Sequence, residues 1–419
     1  MGGAKRLLEE CQSRGFGPLA GSICASHIRD DFLLQSAIPA RTVGVCFVCG
    51  IENADQVEAD ALLAEMVDVA TEGLTAPDGP YVQTVETTDL FWRSFHDLFD
   101  VDDPTEIFEY LLASDNTFEW AVPFLDSLYD DDEETWRSPS EKWRIFKELV
   151  QHQARFVFLT GASRLPEHGA IASDFVAYFN QILQNYEASI VRDLTAGTVM
   201  FRGRMVASLD DGAAFTAASL GPAPKEKAAA NRMSPAGISM FYGSEQLDTA
   251  AAEIAAHDAQ QREYAVVGGF ELLRDVRVVD LVDIEVPSVF DHGRREERSS
   301  KLFLESFARD LSRPIRLDGQ EHRQYAPTQI LTEAIRWSSM AGIDGIRYRS
   351  AQDDGPTHVL FLGPGDVCDL PQAATQQALG LAPDKVSRVR VRRRTEIELL
   401  PQHRLSLTVL QQDSGYDER

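Results

Sequence analysis

Near residue 194 the hydrophobic pattern of the chain changes period, and this change limits the fold more than any other feature. Before it, apolar residues recur at three- and four-residue steps. Val57, Leu62, Met66, Val69 and Ala70 follow the spacing of one helical face. Helical texture continues through 107–112, 120–129, 143–158 and 175–194, interrupted by an acidic loop at 130–134. After Leu194, short β-rich runs at 198–205, 239–242, 264–270, 276–281, 345–348 and 358–362 are bounded by Gly, Pro and Asp. Helical patterns at 249–257, 298–311 and 327–340 separate them, and 211–230 reads as a long loop. The second half therefore predicts a compact α+β domain rather than a regular βαβ alternation.

A chain of 419 residues exceeds one ordinary core. The textures divide it into a Cys/His segment at 1–53, a helical domain at 54–195, an α+β domain at 196–385, and a basic strand with a tail at 386–419. Arginines alternate with valines at 388–392, as on a solvated edge strand whose charges discourage sheet pairing. A net charge of −26 disfavours a general nucleic-acid binder, which would need clustered Lys and Arg, yet leaves room for a local basic pocket. No apolar run reaches the roughly 18 to 20 residues of a membrane span, and the start lacks a signal-peptide core. Five cysteines in this length do not form a disulfide scaffold, so a reduced, cytoplasmic setting is expected.

Four of those cysteines lie in the first fifty residues. Cys24 and His27 form a C-x2-H pair, Cys46 and Cys49 a C-x2-C pair, with 18 residues between the pairs. Two such pairs on tight turns supply four donors for a tetrahedral Zn²⁺. The competing reading is unrelated buried cysteines and a surface histidine. A zinc site here would be structural, because four protein ligands leave no open position. Cys11 is an unplaced alternative ligand, and Cys368 reads as a small core residue.

Further along, four blocks carry candidate chemistry. In the first, Arg202 and Arg204 share one face of a strand, and Gly203 permits close approach from the other side. Two guanidiniums on one face suit a pyrophosphate, although a solvated strand face is the plain alternative. The second block runs from Asn231-Arg232 to Tyr242-Gly243. The third, Thr249-Ala250-Ala251-Ala252-Glu253, is a small-residue helix face with one carboxylate. The fourth is Gly342 to Ser350, followed by Thr357-His358-Val359-Leu360-Phe361.

In this order, over residues 197 to 372, the blocks resemble the RES family, named for an Arg, a Glu and a Ser. The matching positions are Arg202, Glu253 and Ser350. The resemblance adds Arg232, Tyr242 and Tyr325 as pocket residues, and it departs at Ser234 and Thr357, where many relatives carry Asn. It implies a fold similar to ADP-ribosyltransferases and cleavage of the nicotinamide–ribose bond of NAD, as a glycohydrolase or phosphorylase. A toxin or defence effector held by a protein antitoxin or regulator would fit. Glu253 would stabilise positive charge on the ribose, Arg202 and Arg232 would hold phosphates with Arg204 in support, Tyr242 would pack on nicotinamide, and Ser350 would bond substrate or Glu253. Transfer of ADP-ribose to a macromolecule, and an inactive RES-like binding module, are the alternatives. The 54–195 region resembles HEPN-related helical domains fused to RES domains. Arg144 and His152 stand too far apart for the closely spaced pair of HEPN ribonucleases, so a scaffold or regulatory bundle is expected there.

Overall fold

The computed structural model describes residues 14, 16–71, 91–92, 94–112, 139–156, 169–208, 215–256, 258, 262, 264–313, 321–337, 342–369, 389–398 and 408–410. Cys11, the helix expected at 120–129 and the acidic loop at 130–134 lie outside these residues. The chain forms two compact units, 1–137 with 286–298, and 138–285 with 299–419. The boundary expected at 195 therefore falls inside the second unit. Among the described residues no helix is long and apolar enough to cross a membrane.

In the first unit, strands β1 (Ser22–Cys24), β2 (Thr42–Val45) and β3 (Glu52–Glu58) form an antiparallel sheet in the order β1-β3-β2. The sequence places the start of helical structure at 54, but residues up to Glu58 are taken up by the central strand, which pairs on both sides. Helix α1 (Ala59–Thr71) follows, and α2 (Thr105–Leu112) comes later. Leu62, Leu63 and Met66 of α1 share a core with Phe91, Phe95, Phe99 and Phe108. Burying this many large apolar side chains drives the association of these elements.

The second unit opens with helices α3 (Pro139–His152) and α4 (Gly169–Asn185). Proline begins α3, where its missing N–H has no helical partner to lose. Helical structure was expected to reach Leu194, yet Val191–Leu194 is strand β4, paired antiparallel with β8 (Val276–Asp280). Trp143 and Phe146 of α3 and Phe175 and Phe179 of α4 interlock with Phe303 and Phe307 of α6 (Arg295–Ser312), the Phe175 and Phe303 rings lying edge to face at 5.3 Å. These helices thus complete the core of the α+β unit.

Its remaining strands are β5 (Val199–Val206), β6 (Phe241–Ser244), β7 (Tyr264–Leu272), β9 (Ile343–Arg349), β10 (Pro356–Leu360), β11 (Val367–Asp369), β12 (Val389–Glu398) and β13 (Thr408–Leu410). Together with β4 and β8 they form a mixed ten-stranded sheet in the order β11-β12-β7-β5-β6-β10-β9-β8-β4, with β13 on β12. The basic strand β12 is thus not the expected edge, because it pairs with both β11 and β7. Helix α5 (Leu247–Ala256) lies against β5 and β7, where Ala250 and Ala251 meet Met205, Ala265 and Val267. A Cβ on Gly203 would stand 2.5 Å from the Val266 carbonyl oxygen and 3.1 Å from Ile254, so glycine is what lets β5 fit between β7 and α5. Helix α7 (Glu321–Arg336) completes the unit.

Candidate functional site

Two side-chain constellations stand out, one in each unit. In the first, Cys24 ends β1, His27 ends the short turn Ala25–His27, and Cys46 and Cys49 follow β2 on a turn closed by Gly50 at φ +71°. One ligand atom from each of the four lies within 4.8 Å of the other three. The Cys24 and Cys49 sulfurs are 3.8 Å apart, matching the edge of about 3.8 Å of a tetrahedron with Zn–S bonds of about 2.3 Å. The buried His27 Nε2 has no hydrogen-bond partner among the described residues, as a ligand nitrogen would. Burial opposes ionisation of Cys46, but amide donors outweigh it and lower the thiol pKa, with Cys24 N–H at 3.3 Å and Val48 N–H at 3.4 Å. Burial raises the Cys24 pKa to about 11 against a lowering bond from Asn53. The four residues together make a set that could hold a metal ion.

In the second unit a cavity of about 720 Å³ opens over β5, β6 and α5. Arg202, Arg204, Arg232, Tyr242, Glu253 and Tyr325 all line it, although their positions span more than a hundred residues of sequence. Ser350 does not line the cavity. It is fully buried just past β9 and donates a hydrogen bond to Glu253 Oε1, while its own oxygen accepts the Gln352 N–H at 3.1 Å. The carboxylate is thereby fixed on a helix that small alanines let lie close to the strands.

Two of the cations are also held in place. Arg202 donates to the carbonyls of Leu220 at 2.9 Å and Tyr242 at 2.8 Å. Burial, and then the neighbouring Arg204, lower its pKa to about 10, which leaves it charged at neutral pH. Arg232 donates to the Asp310 carbonyl at 2.8 Å, and burial lowers its pKa against the attraction of Tyr325, Tyr348, Asp310 and Glu253. Its loop is pinned by α7, where the Thr328 hydroxyl donates to Arg232 O at 2.6 Å and the Gln329 amide to Asn231 O at 2.7 Å.

The aromatic wall is neutral. Burial pushes the Tyr242 phenol up to about 12, and its hydroxyl lies 2.9 Å from Ser234 Oγ. The departure at Ser234 thus keeps a hydrogen bond, as does Thr357, whose hydroxyl is 3.1 Å from Ser244 Oγ. Burial also raises Tyr325. Tyr348, missed in the sequence reading, lines the same cavity and is raised well above the usual phenol value by burial and by the Glu253 carboxylate. The signal was present: Tyr348 stands two residues before Ser350, a spacing that puts two side chains on the same side of extended backbone.

On the opposite face of these strands a second unforeseen feature ties them together. Glu245, after β6, accepts from Arg347 Nε at 2.8 Å and lies 2.9 Å from His358 Nε2. Arg347 also bonds Asp280 and Asp283, each at 2.9 Å. The His358 bond first, and Arg347 with it, hold the Glu245 carboxyl at about 2 against the cost of burial. The strands carrying Tyr242, Tyr348 and Thr357 are therefore cross-linked from behind.

Comparison with known families finds a RES domain at residues 205–380. The span includes Arg232, Tyr242, Glu253, Tyr325 and Ser350 and begins after Arg202 and Arg204. No curated protein and no solved structure matches the chain.

Proposed function

We propose that the second unit binds NAD in this cavity and cleaves its nicotinamide–ribose bond, as a glycohydrolase or phosphorylase. The observation that carries the reading is a carboxylate, Glu253, fixed by Ser350 and lining one cavity with Arg202, Arg232 and Tyr242. When the C1′–N bond breaks, its electron pair leaves with nicotinamide and positive charge develops on the ribose. A carboxylate already oriented towards that charge lowers the barrier without reorganisation. Water or phosphate then adds through oxygen at C1′. With water, the proton it loses passes to Glu253 and on to solvent. Arg202 and Arg232 hold the pyrophosphate, and Tyr242 and Tyr348 enclose the nicotinamide.

Cys24, His27, Cys46 and Cys49 hold Zn²⁺ in this reading, and the ion fixes the fold of its segment and takes no part in the reaction. Depletion of NAD would make the protein a toxin or defence effector, restrained by a protein antitoxin or regulator. The direct test is chromatography of NAD incubated with the purified full chain, with and without phosphate. Free nicotinamide with ADP-ribose, or with ADP-ribose 1″-phosphate when phosphate is added, is the expected result. Intact NAD at micromolar enzyme overturns the reading.

A further inference from the structure

Charge in the cavity is unevenly answered. In a chain of net charge −26, five arginines line this one space, Arg202, Arg204, Arg232, Arg262 and Arg313. Two carboxylates line it with them, Glu253 and Asp258, which leaves an excess of three positive charges. The pyrophosphate of a dinucleotide brings two negative charges, and nicotinamide returns one positive. The cavity is therefore more cationic than NAD requires.

The arginines differ in how they are answered. Arg262 is clamped to Asp258, at 3.0 Å from Nε and 2.7 Å from Nη2, and Arg313 has Asp310 at 3.5 Å. Arg202 and Arg232 are oriented by backbone carbonyls. Arg204 alone of the five has no hydrogen-bond or ion-pair partner among the described residues. It stands on the same face of β5 as Arg202, two residues and so about 6 to 7 Å further along the strand. The two like charges repel along the strand, and an anion beside Arg204 would relieve that repulsion.

Position decides which anion. The reacting ribose must lie against Glu253 and the enclosed tyrosines, whereas Arg204 is exposed at the cavity mouth. The part of a dinucleotide that reaches the mouth is the adenosine end. Resting on the NAD reading above, we propose that the cavity favours a 2′-phosphorylated dinucleotide, whose third phosphate, a monoester on the adenosine ribose, is held by Arg204. A charge-assisted bond from this exposed guanidinium to phosphate corresponds to about tenfold in affinity.

Calorimetry on the full chain tests this with two ligands that cannot be cleaved at the missing nicotinamide, ADP-ribose and ADP-ribose 2′-phosphate. The wild-type chain binds the 2′-phosphate about tenfold more tightly, and in Arg204→Gln the ratio of the two affinities falls towards one. A wild-type ratio near one overturns the proposal, as does a preference that Arg204→Gln leaves intact. A ratio near one, combined with Arg204-dependent acceleration of NAD cleavage by inorganic phosphate, reassigns the position to a free phosphate. Failure of ADP-ribose to bind at all overturns the NAD reading and this proposal with it.

Discussion

Replacing Glu245 by Gln removes the charge that joins His358 to Arg347 behind the cavity while keeping the size of the side chain. In the folded protein the carboxyl is held at about 2, against an ordinary 4.5. At about 1.4 kcal/mol per tenfold change in proton affinity, that difference sets an upper bound of roughly 3.5 kcal/mol on the stability carried by ionised Glu245. The side chain is 34% exposed, so solvent screening reduces the figure to about 1–2 kcal/mol. Asp280 and Asp283 still neutralise Arg347, and the variant should fold. For a unit of this size the loss corresponds to a fall of roughly 2–8 °C in the melting temperature at pH 7. The sign with pH follows from the lowered folded value. Stabilisation is complete above the unfolded value of 4.5 and is lost as pH falls towards about 2. The gap between wild type and variant should therefore narrow by roughly half between pH 7 and pH 3. Melting both proteins across that range checks it. A gap that is absent at pH 7, or unchanged at pH 3, would refute the reasoning.

Two other predictions concern the two constellations directly. Ser350→Ala leaves the Glu253 carboxylate without the hydroxyl that orients it, and nicotinamide release should slow about 10- to 100-fold with little change in KM. Steady-state kinetics with NAD decides it, and an unchanged kcat would remove Ser350 from the site. Cys46→Ser should lower bound zinc from about one per chain towards zero and make the 16–71 segment more susceptible to protease. Elemental analysis of purified protein reads the first effect, and equal zinc in both proteins would contradict the assignment.

Much of the second unit was readable because its elements are short, period-specific and punctuated. The runs near 198–205, 264–270 and 276–281 are found as Val199–Val206, Tyr264–Leu272 and Val276–Asp280, and 249–257 as Leu247–Ala256. Candidate residues from three separated blocks, Arg202 and Arg204, Arg232 and Tyr242, and Glu253, converge on one cavity because each block places its polar groups at defined positions on a strand, loop or helix. The Cys/His pairs were likewise legible, since their spacing is local.

What escaped was set by partners distant in sequence. Val191–Leu194 continues a helical pattern, but its backbone groups are claimed by β8, more than eighty residues later. The Arg and Val alternation of β12 suits an edge strand, and only the placement of β11 reveals that both sides are paired. Helices α3 and α4 read as a separate bundle because their apolar faces carry no mark of what they meet, which is α6. Glu245, Arg347 and His358 looked like scattered polar residues until the register of β10 against its two neighbours brought them together.

The central claim is that Glu253 acts on the ribose that loses its base. Glu253→Gln keeps the shape of the side chain and a group able to accept from Ser350, so NAD binding measured by calorimetry should stay within about threefold of wild type. Nicotinamide release in a single turnover should fall by about a thousandfold or more, the usual scale for removing a charge that stabilises a transition state. A variant that binds NAD and still releases nicotinamide at the wild-type rate would contradict the account.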